Sequence, residues 1–161
     1  MCNYTNRMPL PAPSPTPRPD APDLSQVSRQ CACLRTRMAA RALSRAYDEA
    51  LRPCGLKSTQ FSLLVAIGSQ ATLSISEMAE ALGLERTTLT RNLRPLERMG
   101  LVAIGAEAYR RSRALTLTEQ GRARLDEALP LWQTAQQRLR SALGEEGWRA
   151  VGVALDRLLG S

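Results

Sequence analysis

Ser76-Glu77-Met78-Ala79-Glu80-Ala81-Leu82-Gly83-Leu84, running on into Glu85-Arg86-Thr87-Thr88-Leu89-Thr90-Arg91-Asn92-Leu93, is the stretch that decides the fold. Ser76 is expected to cap a helix of about eight residues that closes at Gly83, because a serine oxygen accepts an orphan N–H and a glycine tolerates the left-handed turn. A second helix over 85–99 keeps Leu89, Leu93 and Leu96 inward. Thr87, Thr88, Thr90, Arg91 and Arg94 then face outward. Met78, Ala79 and Leu82 are expected to pack on Leu89 and Leu93, leaving Arg86, Thr87, Thr88, Thr90 and Arg91 free to enter a major groove. Two helices joined by a tight turn, the second faced with Thr and Arg, is a helix-turn-helix arrangement. A helical hairpin with a solvated polar face would carry the same pattern, so these residues alone do not separate the two readings.

The flanking residues do separate them. Gly100 ends the second helix, with Pro95 expected to bend its last turn. Leu101-Val102-Ala103-Ile104 and Ala114-Leu115-Thr116-Leu117 read as two strands joined by a basic loop, Glu107 to Arg113. Arg110, Arg111 and Arg113 at the tip of such a hairpin suit the phosphate backbone, which makes the hairpin a wing. Upstream, residues 25–52 hold apolar or small residues at helical spacing on two faces, which suits a helix shared between subunits. Pro53 and Gly55 stop that helix, and Ser58 or Thr59 is placed to cap the next, which carries Phe61, Leu64, Val65 and Ile67 and ends at Gly68. A short Leu73-Ser74-Ile75 follows. Thr118 is placed to cap a long helix to about residue 142, and a last helix covers about 145–159. The expected fold is mainly α with a small β-hairpin wing, a winged helix-turn-helix. Residues 56–118 form its DNA-binding lobe and 24–55 with 119–161 its dimerisation helices. Seven of the ten prolines fall between Pro9 and Pro22, so residues 1–23 read as a disordered, extended tail.

Composition narrows the function. The 161 residues carry 22 basic and 15 acidic side chains, a net charge of +7, which points to a polyanion, nucleic acid ahead of membrane. Residues 31–125 hold fifteen basic and eight acidic groups, so the whole surplus sits in the middle of the chain. Lys57 is the only lysine; the rest is arginine, suited to bidentate phosphate and guanine contacts. The absence of histidine removes His-based acid–base catalysis, His-activated nucleophiles and His-containing zinc sites. No cofactor is required by any motif, and an enzyme built on Cys31-x-Cys33 would lack a C-x-x-C spacing and a Gly-rich loop. No signal peptide or membrane span is legible, so a cytoplasmic location is expected.

The motifs Ser76 to Leu84, Thr87-Thr88-Leu89-Thr90-Arg91, Leu96-Glu97-Arg98-Met99-Gly100-Leu101-Val102, Arg110-Arg111-Ser112-Arg113 and Leu117-Thr118-Glu119-Gln120-Gly121 together resemble the MarR family of winged-helix transcription regulators. The likeness covers about residues 25–160. It implies a homodimer whose first and last two helices form the interface and whose paired wings and recognition helices meet a pseudo-palindromic double-stranded operator. Tyr109 stands where the family usually has an aspartate that braces the wing arginine, here Arg111.

Proteins of this type respond to small molecules or to thiol chemistry, and no pattern here declares an aromatic-acid pocket. The four cysteines of a cytosolic chain read as thiols. On a regular helix Cys31 and Cys33 point about 200° apart, and both lie roughly 30 Å along the axis from Cys54. A three-cysteine site within one chain is therefore excluded by a continuous helix, but one across a dimer is not. The segment from Cys33 through Arg41 to Tyr47 is similar to the organic-hydroperoxide-sensing branch of the family, whose reactive cysteine falls at Cys33 and whose partner-subunit tyrosine falls at Tyr47. A second such tyrosine is replaced by Ser58. The resulting expectation is an intersubunit cluster, Cys31 and Cys33 with the Cys54 of a second copy, that forms a disulfide or takes up a thiophilic metal(loid) such as arsenite. Cysteines that merely fill an apolar stripe, beside a separate small-molecule pocket, remain the alternative.

Overall fold

The computed structural model describes residues 23–69, 73–105 and 114–160. The proline-rich tail and the wing tip, with Tyr109, Arg110, Arg111 and Arg113, lie outside them. The chain divides into two compact units, Met1–Met38 and Ala39–Ser161.

In the first unit, Asp23 caps α1 (Leu24–Gln30) by accepting the Ser25 N–H at 2.9 Å. The single helix expected over 25–52 does not form. Cys31 takes extended backbone (φ −63°, ψ 106°) and ends α1. Helix α2 (Ala32–Leu51) begins after it, with the Cys31 sulfur accepting the Leu34 N–H at 3.5 Å, in the manner of a capping side chain. The 200° divergence of Cys31 and Cys33 presumed a regular helix, and the break at Cys31 removes that premise.

In the second unit α2 runs to Leu51 and gives way to a 3-10 turn (Arg52–Cys54) and Gly55, as Pro53 and Gly55 foretold. Helix α3 (Ser58–Gly68) is capped neither by Ser58 nor by Thr59. Its first N–H, that of Ser58, donates to the Asp48 carboxylate at 2.7 Å, while Gln60 accepts the Lys57 N–H at 2.8 Å. These bonds from Ser58, reinforced by Lys57, hold the Asp48 carboxyl below its ordinary range. Then come β1 (Leu73–Ser74), α4 (Ile75–Ala81), α5 (Arg86–Arg98), β2 (Val102–Ile104), β3 (Ala114–Leu117) and α6 (Glu119–Leu159).

Strands β2 and β3 pair antiparallel, Val102 with Leu117 and Ile104 with Leu115, as expected. The two-residue β1 adds to the other edge of β3, Leu73 opposite Leu115, a pairing too short to leave any alternation in the sequence. Leu51, Leu56, Leu64, Met78, Leu89, Leu93, Leu96, Leu101 and Leu115 are fully buried and make one core beneath α3, α5 and the sheet. The expected separation near residue 143 is present as a break inside α6. Gly144 lies at φ 69°, ψ 168°, a region essentially reserved for glycine. Arg140 spans the break and donates two bonds, 2.7 and 2.6 Å, to the Glu145 carboxylate.

Candidate DNA interface

The recognition element is assembled from α4 upward. Its cap is Ser74, not Ser76. Ser74 Oγ accepts the Glu77 N–H at 3.2 Å and Glu77 accepts the Ser74 N–H at 2.8 Å, a reciprocal capping box that a serine two residues later cannot make with Glu77. The same bonds keep the Glu77 carboxyl below its usual value. Helix α4 buries Met78 and Ala79 and ends in a turn in which Gly83 N–H donates to Glu80 O (3.0 Å) and Leu84 N–H to Ala79 O (2.8 Å). Leu82 is not buried with Met78 and Ala79. It closes α4 at the surface, 38% exposed.

Docked through Leu89, Leu93 and Leu96, α5 is oriented as expected, and Pro95 sits within its last turn. Arg86, Thr87, Thr90, Arg91 and Arg94 line one shallow concave face. Arg86, Thr87, Arg91 and Arg94 are exposed, whereas Thr88 and Thr90 are half-buried. Among the described residues none of these three arginines is held in an ion pair, in contrast to Arg52, Arg124 and Arg140. Three uncompensated guanidiniums on one face make an electrostatic footprint for phosphates and guanine edges.

A joint behind the recognition helix went unnoticed in the sequence. Thr118 Oγ1 donates to Gly100 O at 2.6 Å and accepts the Gly121 N–H at 2.9 Å, and Thr118 N–H donates to Leu101 O at 3.1 Å. A Cβ on Gly121 would stand 1.9 Å from Leu101 O. The end of α5, the root of the wing and the start of α6 are thus stitched at one point. The Thr-x-x-Gly spacing within Leu117 to Gly121 was the available signal.

The thiols are dispersed. Cys31 is half-buried at the α1–α2 break, Cys33 is exposed in the first turn of α2, and Cys54 is buried with its thiol donating to Leu51 O at 3.0 Å. All three are free, and among the described residues no three ligating side chains of the chain converge on a metal position. Arg124 Nη1 donates to Cys54 O at 2.6 Å and so ties the 3-10 turn to α6. Tyr47 donates to Gln136 Oε1 of its own chain, and burial pushes its phenol pKa upward. Beside Tyr47 runs a groove lined by Leu43, Ser44, Ser58, Thr59, Ser62, Leu82, Leu84 and Asn92. Among the described residues no helix is long and apolar enough to cross a membrane.

A helix-turn-helix backed by an antiparallel strand pair and followed by a long helix defines the class: a winged helix-turn-helix protein. The family model for the MarR family matches residues 56–103. The Mycobacterium tuberculosis transcriptional regulator MosR, solved in complex with DNA, is 46% identical, with a TM-score of 0.74 over 80% of this chain and 93% of that one. The transcriptional repressor CouR bound to p-coumaroyl-CoA is 26% identical, with a TM-score of 0.74 over 86% and 98%. The oxidised form of Escherichia coli MarR is 25% identical, with a TM-score of 0.64 over 77% and 90%. No curated protein matches the sequence. The chain belongs to the MarR family of DNA-binding transcriptional regulators, which are not enzymes.

Proposed function

We propose that this protein is a cytoplasmic repressor that binds a pseudo-palindromic operator as a homodimer and is released by thiol chemistry. Arg86, Arg91 and Arg94, which form no ion pair among the described residues, carry the DNA reading beside Thr87 and Thr90 on one face of α5; Thr88 adjoins them in sequence, and Arg110, Arg111 and Arg113 would hold the backbone from the wing. MosR in complex with DNA supports the same mode. Dimerisation is supported by apolar side chains left in solvent: Leu24, Val27 and Met38 in the first unit, Val153, Leu155, Leu158 and Leu159 in the second. Patches of this kind mark protein contacts.

Accessibility orders the thiols. Cys33 and then Cys31 meet an oxidant or a thiophilic metal(loid) such as arsenite first, and Cys54 of the partner joins only as its turn opens. The test is operator binding by the full chain with reductant, hydroperoxide or arsenite. Release by oxidant, with a covalent dimer on a non-reducing gel, is expected for the native protein and lost in the Cys31→Ser, Cys33→Ser, Cys54→Ser variant. If that triple variant is still released, the thiols are not the sensor. A second reading then applies, a neutral phenolic ligand in the groove beside Tyr47, whose lining is hydroxyls, Asn92 and leucines without a cation. CouR, whose bound p-coumaroyl-CoA ends in a phenol although its CoA part is anionic, supports the phenol and not the neutrality of the ligand.

A further inference from the structure

The hydroxyls that α5 offers to the groove are not equivalent. Thr90 Oγ1 donates its only proton to Arg86 O at 2.8 Å, four residues back along the helix. A carbonyl only accepts, so the direction of this bond is fixed, and Thr90 has nothing left to donate. Thr87 makes no such bond: among the described residues its hydroxyl has no partner, and it can turn to donate or accept. Thr90 nevertheless lines the concave face between Arg86, Arg91 and Arg94, with its oxygen lone pairs and methyl group available there.

We propose that Thr90 is a polarity-selective base reader, an acceptor-only oxygen that selects the exocyclic amine of adenine or cytosine at one position of each half-site. In the major groove only adenine N6 and cytosine N4 donate, whereas guanine O6, N7 and thymine O4 accept. A threonine free at its hydroxyl pairs with either kind; one whose proton is committed meets an acceptor base with two opposed lone pairs. The flanking arginines, donors only, take the opposite class, guanine edges and phosphates. Thr90 thus divides the site into an arginine-read part and an amine-read part. This rests on the DNA-binding reading above.

The experiment is selection from a randomised duplex library with the full-length reduced protein, followed by an analogue scan of the selected site. Each adenine is replaced by deoxynebularine and each cytosine by deoxyzebularine, which lack only the amine. One analogue position per half-site should weaken binding about threefold to tenfold, the size of one hydrogen bond. Thr90→Ser, which keeps the back-bond and the oxygen, should retain that penalty. Thr90→Val, which keeps shape without oxygen, should bind the amine-bearing and amine-less sites alike. Amine-less sites bound as tightly as natural ones by the native protein, or a penalty that persists in Thr90→Val, overturn the proposal while leaving a sequence-specific binder. A library that enriches no sequence fails one step earlier, at DNA reading itself.

Discussion

At the scale of single residues, the joint at Thr118 sets the firmest expectations. Gly121→Ala places a methyl carbon 1.9 Å from a backbone oxygen that cannot swing aside, so either α6 or the wing root must move. We expect a loss of about 3 kcal/mol or more, the upper range of overpacking, read by chemical denaturation. Thr118→Val keeps shape but removes both hydroxyl bonds and the cap, and should cost about 1–2 kcal/mol. Gly121→Ala milder than Thr118→Val would contradict the close approach. On α5, Arg91→Ala should lose discrimination between DNA sequences, at roughly 1–3 kcal/mol, whereas Arg111→Ala, at the position the sequence assigns to the wing tip, should weaken all DNA alike and lower the salt slope by about 1. Leu89, Leu93 and Leu96 were legible because three leucines at helical spacing leave a single inward face. Leu82 was not, because a residue at a helix end shares the spacing but not the face.

At the scale of elements, caps were harder to read than periodicity. Both Ser74 and Ser76 precede an apolar run, and only the reach of Glu77 back to its third predecessor chooses between them. Ser74→Ala should therefore lower stability by roughly 1 kcal/mol, while Ser76→Ala should not; equal effects would return the helix start to Ser76. Likewise the cap of α3 comes from Asp48, ten residues away, which no local motif records. Both carboxyls have folded pKa values depressed below their ordinary 4.5 and 3.8. Their contribution is present above those values and is lost as pH falls through the folded ones. Thermal melts between pH 5 and pH 2.5 should show Glu77→Gln and Asp48→Asn flattening the acid side of the profile. Profiles parallel to the native one would remove these groups from the account. The break at Cys31 was hidden for another reason. One extended residue between two helices shifts the apolar stripe too little to interrupt it, whereas the separation expected between residues 142 and 145 falls at Gly144, a residue that tolerates positive φ.

At the scale of the whole molecule, the order of helices, the strand pair and the basic middle segment were readable because each follows from the spacing or charge of its own residues. The burial of Cys54 was not, since it follows from packing of the 3-10 turn against the core, and the proposed pairing of thiols would draw on a second copy, which the spacing of one chain does not record. The proposed assembly has two copies presenting two α5 faces to one two-fold site. It is tested most directly by stoichiometry and footprint together: analytical ultracentrifugation of the reduced protein on a labelled duplex carrying its selected site, with hydroxyl-radical footprinting of the same complex. Two chains per duplex, with two protected segments related by two-fold symmetry and spaced about one helical turn apart, are the predicted result. One chain per duplex with a single asymmetric footprint would contradict it.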